Sequence, residues 1–200
     1  MSPRLRHARL VGKRVELVPL EAGYAERAFA MLHNNEAILR WLVWDGPTSL
    51  EDLREFYCRW IVPTQEGDDY HFAILDRETG AFAGSIGPRF AGHRGIGDVG
   101  YWLAPEFWGR GLMTDAVRLV NYLAFRYLAA TAMTAYVFVG NDGSRRVLEN
   151  AGYAMLHVAK AKAVKRGEPV DEWYFSLLRH EFERDSAEYR PIEETVEYVL

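Results

Sequence analysis

The stretch "DVGYWLAPEFWGRGLMTDAVRLVNYLAF", Asp98 to Phe125, decides the fold. An alternating apolar run ends at Pro105. Gly109 and Gly111 flank Arg110, and a long amphipathic segment begins at once. Strand, glycine turn and helix in direct succession make a place for an anion. The first-turn amides of a helix have no partner within it, and the helix dipole favours negative charge there. Glycine lets a ligand come close to the backbone. Gly109 and Gly111 therefore read as a cradle for a phosphate or pyrophosphate, with Arg110 between them and a plain strand-to-helix turn as the competing reading. Two better-known phosphate motifs do not apply. No "GKS" or "GKT" follows the glycines, as a Walker loop requires. "GIGDVG", Gly95 to Gly100, has G-x-G-x-x-G spacing but runs on into a strand, where a dinucleotide site needs a helix.

The rest of the chain alternates in the same way. "KRVELVPL", Lys13 to Leu20, reads as a strand and "EAGYAERAFAMLHNN" as a helix. After a break at Asp45-Gly46-Pro47, Ser49 caps a second helix, "LEDLREFYCRWIV". Tyr70 to Leu75 and Ala81 to Phe90 read as a hairpin, with a loop from Ala91 to Gly97. "TAMTAYVFV" is a strand, "NDGSRRVLENAGY" an N-capped helix stopping at Gly152, and "YAMLHVAKAKAV" and "EWYFSLLRHEF" two more strands. Residues 183–200 are acidic and interrupted by proline, and are expected as a tail. The class is α+β, in one domain over residues 1–182.

Composition narrows the function. The chain has 200 residues, 49% hydrophobic and 26% charged, which is ordinary for a soluble globular protein. A net charge of -4 gives no broad attraction to nucleic acid. The single cysteine, Cys58, excludes an internal disulfide and lies on an apolar helix stripe, as a core residue would. The opening "MSPRLRHARLVGKRVEL" lacks the apolar core of a signal peptide, and no run reaches the ~18 apolar residues of a membrane helix. A cytoplasmic protein with no membrane partner is the expectation. None of His71, His93 and His157 has a metal-like spacing.

"DVGYWLAPEFWGRGLMTDAVRLVNYLAF" followed by "NDGSRRVLENAGY" resembles the GNAT acetyltransferase superfamily, and more narrowly its RimJ/RimL-type branch. "RVELVPL" looks like that branch's opening strand and "DEWYFSLLRHEF" like its closing one, so the resemblance runs from about Leu10 to Phe182. It implies a central mixed, mostly antiparallel twisted sheet flanked by helices, splayed at an acyl-CoA site. It implies acetyl-CoA as the acetyl donor, no metal, and an amine acceptor: a protein N-terminus or a small molecule. The pantetheine arm would pair near Trp102, Leu103 and Ala104. The pyrophosphate would lie on Trp108, Gly109, Arg110, Gly111, Leu112, Met113 and Thr114. The family often has Gln or Arg three residues before the first glycine; here Glu106 removes that cation.

Acetyl transfer from a thioester needs a neutral amine, an acceptor for its proton, and donors to the oxyanion and leaving thiolate. Asp98, at the start of the strand leading to the turn, is the candidate base, directly or through water; the competing reading is a solvated aspartate. His93 is the alternative base. Ser144, three residues after Asn141, is the candidate for handling the thiol, and both residues are also candidate helix caps. Leu148 stands where many superfamily members carry a tyrosine acid. Arg145 and Arg146 are expected in solvent, Trp41 and Trp60 in the core, and Trp44 on the substrate wall. At pH 7, freeing an α-amine costs about 1 kcal/mol and a lysine roughly 4.6, which favours a low-pKa acceptor. A second class stays open: a catalytically silent CoA-binding sensor or scaffold. The acidic stretch also leaves a homodimer open.

Overall fold

The computed structural model describes residues 4–66, 69–90, 95–185 and 189–199. Nine strands form one mixed sheet: β1 (Arg4–Val11), β2 (Val15–Pro19), β3 (Phe72–Asp76), β4 (Phe82–Arg89), β5 (Ile96–Leu103), β6 (Ala132–Phe138), β7 (Ala154–Lys165), β8 (Glu168–Leu178) and β9 (Glu193–Val199). Their spatial order is β7-β8-β6-β5-β4-β3-β2-β1-β9. Every neighbouring pair is antiparallel except β5 and β6. The helices are α1 (Ala25–Leu32), α2 (Glu36–Leu39), α3 (Leu50–Glu66), α4 (Leu112–Tyr127), α5 (Asp142–Asn150) and α6 (Arg179–Asp185).

Helix α4 connects the two parallel strands, as a crossover must. Its buried side is Leu112, Met113, Ala116, Val117, Leu119, Val120, Leu123 and Ala124, the i, i+3, i+4 spacing of a helix lying on a sheet. Strand β4 is buried at every residue from Phe82 to Pro88, as befits a central strand covered on both faces. Asp115 Oδ2 accepts from the amides of Arg14 (2.7 Å) and Val15 (3.1 Å), which ties the first turn of α4 to the β1–β2 turn.

The expected elements between Lys13 and Leu178 are present, with three corrections at the margins. Residues 183–200 are not simply a tail: they hold the end of α6 and strand β9, which extends the sheet beside β1. Strand β1 itself lies in the basic opening stretch, where no element was expected. The last expected strand ends at Leu178, because Glu181 Oε2 accepts the Leu178 amide (2.8 Å) and starts α6. Cys58 is exposed, on the outer side of α3 rather than in the core. Among the described residues no helix is long and apolar enough to cross a membrane.

Candidate active site

Strands β5 and β6 pair only at Ile96↔Ala132, Gly97↔Met133 and Asp98↔Thr134. Beyond Asp98, β5 stays with β4 as far as Leu103, while β6 stays with β8 as far as Phe138. The two strands therefore part and leave facing backbone edges. The Ala104 amide donates to the Ala83 carbonyl at 2.9 Å. Alternation along β5 then turns the amides of Tyr101 and Leu103 toward the gap. Trp108 Nε1 donates to the Leu103 carbonyl at 2.7 Å, so the indole closes the end of the strand. A cavity of about 1270 Å³ opens at this fork.

The turn after β5 is built by its glycines. Gly109 and Gly111 have φ of 73° and 75°, the left-handed region that side chains disfavour. Gly111 is the N-cap of α4. Trp102, Leu103, Trp108, Gly109, Gly111, Leu112, Met113 and Thr114 line the cavity; Ala104 and Arg110 do not. Ala104 is fully buried with its amide committed to β4. Arg110 turns away to Asp76 Oδ2 (3.0 Å) and Glu78 Oε2 (2.8 Å). Burial alone would raise the Asp76 carboxyl, but the Glu78 amide, the Thr79 hydroxyl and the Arg110 guanidinium together hold it below its usual value. Arg110 thus fastens the turn to the β3–β4 connection. A cation that the sequence did not point to stands nearby instead: a Cβ at Gly111 would lie 3.4 Å from Arg14 Nε.

Asp98, Arg89, Glu172, Lys162 and His71 line the other end of the cavity. Asp98 on β5 is opposite Arg89 on β4, and Arg89 Nη2 donates to its Oδ2. Glu172, on β8, was not anticipated. It is 6% exposed, and burial pushes its carboxyl up, opposed by Lys162 and reinforced by Asp98. His71 is lowered to about 4 by burial, with Asp69 opposing and Arg89 adding to the effect.

Helix α5 supplies the third part. Asn141 Oδ1 accepts the Ser144 amide at 3.2 Å, so the expected cap is present. Ser144 Oγ lies 2.7 Å from the phenol oxygen of Tyr101. Leu148 is fully buried. Arg146 lines the cavity, whereas Arg145 pairs with Glu149 at the surface.

On the remaining wall, Trp44 stacks on Phe56 at 4.8 Å between ring centroids, and Trp41, expected in the core, also lines the cavity. The tip of the β7–β8 hairpin clasps this wall. Lys165 Nζ reaches the Trp44 carbonyl (3.0 Å) and Asp45 Oδ1 (2.5 Å), and Arg166 pairs with Glu36 (2.6 Å). His93 lies outside the described residues, as does the side chain of Trp60. Among the described residues no group of three or more histidine, cysteine or carboxylate side chains could hold a metal ion.

Known proteins share this fold. Residues 14–154 match the family model described as the acetyltransferase (GNAT) domain. A relative named "Putative ribosomal N-acetyltransferase YdaF", from Bacillus subtilis strain 168, is 30% identical over 182 residues, covering 86% of this chain and 96% of its own length. Among solved structures, Mycobacterium smegmatis RimJ in complex with CoA-disulfide superposes with a TM-score of 0.80 at 17% identity, covering 93% of this chain and 98% of that one. RimL, described as a ribosomal L7/L12 α-N-protein acetyltransferase in complex with coenzyme A, gives 0.75 at 21% identity, covering 84% and 96%. At these identities the two structures show the shared fold.

Proposed function

The chain belongs to the GNAT acetyltransferase family, and from that premise we propose that it moves an acetyl group from acetyl-CoA to a primary amine by direct attack on the thioester. The observation that carries this reading is the fork between β5 and β6, running into a two-glycine turn at the start of α4. The fork offers the Tyr101 and Leu103 amides to an extended polar chain such as pantetheine. The open αL turn, the first amides of α4 and Arg14 fit a pyrophosphate. Bound there, acetyl-CoA supplies the acetyl carbon: a C–N bond forms, the C–S bond breaks, the amine loses a proton and the sulfur ends as a thiol.

This chain's residues then divide the work. Asp98 is the proposed base, through Oδ1 or a water, since Arg89 occupies Oδ2. Glu172 is a second candidate, because its raised carboxyl is the more basic kind of acceptor. Ser144 is proposed to donate to the departing sulfur, and Trp44 to wall the acceptor. An α-amine or another low-pKa amine suits carboxylates of this kind better than lysine. The YdaF relative is named as a putative ribosomal N-acetyltransferase, which favours a protein acceptor, and RimL, described as an α-N-protein acetyltransferase, favours its N-terminus.

The test is an amine panel: peptides with free α-amines, peptides with lysine and a blocked N-terminus, and small amines. Each is assayed for acetyl-CoA consumption and for an acetylated product by mass spectrometry. Acetylated peptide α-amines are the expected product. CoA binding with silence across the panel would replace the enzyme by a binding module.

A further inference from the structure

Helix α5 has a serine but no phenol of its own where the chemistry ends. Leu148, the one large apolar residue that α5 buries, is sealed in the core. A phenol nevertheless reaches this helix from another element. Tyr101, on β5, places its hydroxyl 2.7 Å from Ser144 Oγ and 3.4 Å from the Ser144 carbonyl. Both residues line the cavity at the fork. The serine's amide is already held by Asn141 Oδ1. Its backbone is therefore fixed from one side and its hydroxyl from the other.

Building on the proposed acetyl transfer, we propose that Tyr101 is a positioning residue: its phenol donates to Ser144 Oγ and leaves the serine's own hydrogen to point at the thioester sulfur. The direction follows from acidity. A phenol is a stronger donor than an aliphatic hydroxyl, and a hydroxyl oxygen can accept while donating its hydrogen elsewhere. Burial raises the Tyr101 phenol further, with the Ser144 hydrogen bond opposing, so it keeps its proton across the working range. No proton leaves Tyr101 in this scheme. A hydrogen-bonded chain of two hydroxyls polarises the second donor, so Ser144 stabilises a thiolate better than it would alone. The arrangement takes one residue from the strand that flanks the thioester and one from the helix that faces it.

Tyr101→Phe removes one oxygen and keeps the ring. It should lower kcat about fivefold, the worth of one hydrogen bond, with KM for acetyl-CoA unchanged. In a Ser144→Ala background the same change should have no further effect, because the phenol acts through the serine. Equal losses in both backgrounds, a raised KM with intact kcat, or unchanged kinetics would each overturn the proposal. A second readout needs no turnover. With tyrosine labelled at Cζ, the carbon resonance assigned to Tyr101 through Tyr101→Phe should move when Ser144 becomes alanine, and also on adding CoA. A resonance indifferent to Ser144 removes the hydrogen bond and the proposal with it, even should Tyr101→Phe fold poorly. A wild-type chain silent on every amine sinks the acetyltransferase reading, and the role of Tyr101 falls with it. Active wild type with an unaffected Tyr101→Phe variant sinks only the present inference.

Discussion

Alanine at Gly111 separates what the turn costs the fold from what it gives the ligand. Gly111 has φ of 75°, where a side chain costs about 1–2 kcal/mol. The new Cβ would lie 3.4 Å from Arg14 Nε and 3.5 Å from Arg14 Cδ, ordinary contacts with the end of a flexible side chain. The fold penalty is therefore the backbone term alone, which lowers Tm by roughly 2–8 °C in a chain of this size. The ligand penalty is separate. A methyl at the N-cap of α4 keeps a pyrophosphate from the first helical amides. Hydrogen bonds to a charged group are worth about 1.5–3 kcal/mol each, so losing one weakens CoA roughly 10- to 150-fold. Gly109→Ala is the companion variant: φ is 73° and nothing lies within 4 Å of its Cβ, so it pays the same backbone cost. Thermal melting of the free protein reads the first quantity, and titration calorimetry with CoA the second. A Gly111→Ala variant that melts within the stated window and binds CoA within about twofold of wild type would refute the cradle.

Asp98→Asn should lower activity most near neutral pH, where the acceptor is charged, and recover partly as pH rises toward about 9; a flat wild-type profile would move the base to Glu172 or His93. Arg110→Ala leaves buried Asp76 without its guanidinium. It should cost about 1–2 kcal/mol in urea unfolding, at the low end for a charged hydrogen bond because Arg110 is partly exposed; no loss would mean that the Arg110 clamp is idle. His71 should make the protein sensitive to acid. Its pKa is about 4 when folded and about 6.5 when unfolded, so the unfolded chain binds the extra proton first. The stability is whole above pH ~6.5 and falls by up to about 3 kcal/mol toward pH ~4. His71→Gln should flatten that part of the urea-midpoint profile, and parallel profiles would reject it.

What the sequence revealed was what neighbouring residues dictate. The strand, glycine turn and helix from Asp98 to Phe125 are contiguous, and so is the Asn141 cap on α5, so composition and periodicity displayed both. The residues missed depend on pairings far apart in the chain. Tyr101 meets Ser144 across 43 positions, and no local pattern marks it. Glu172 reads as one more polar residue in a strand until β8 buries it beside the fork. Arg110, between two glycines, looked like a phosphate ligand because Asp76, 34 positions earlier, gave no sign of being buried. Strands β1 and β9 escaped notice for a related reason. One is basic and the other acidic, and each resembles a solvated end by itself. They match only together, as in the Arg9–Glu193 pair.

That last pairing sets an order of events during synthesis. β1 leaves the ribosome long before its outer neighbour, which begins at Glu193. At ordinary elongation rates roughly 10–40 s separate the two. For that interval any nascent sheet ends in a bare strand, a template for another chain. Arg6 and Arg9 alternate along β1 with buried Leu5, Ala8 and Leu10. Arg9 is already paired with Glu16 of β2 at 2.6 Å, so the exposed Arg6 sets the charge that the unfinished edge shows to a second copy. When the acidic strand arrives, Arg9 also takes Glu193 as a partner, at 3.3 Å. The two arginines thus divide the tasks: Arg6 guards the growing edge, and Arg9 receives the final strand.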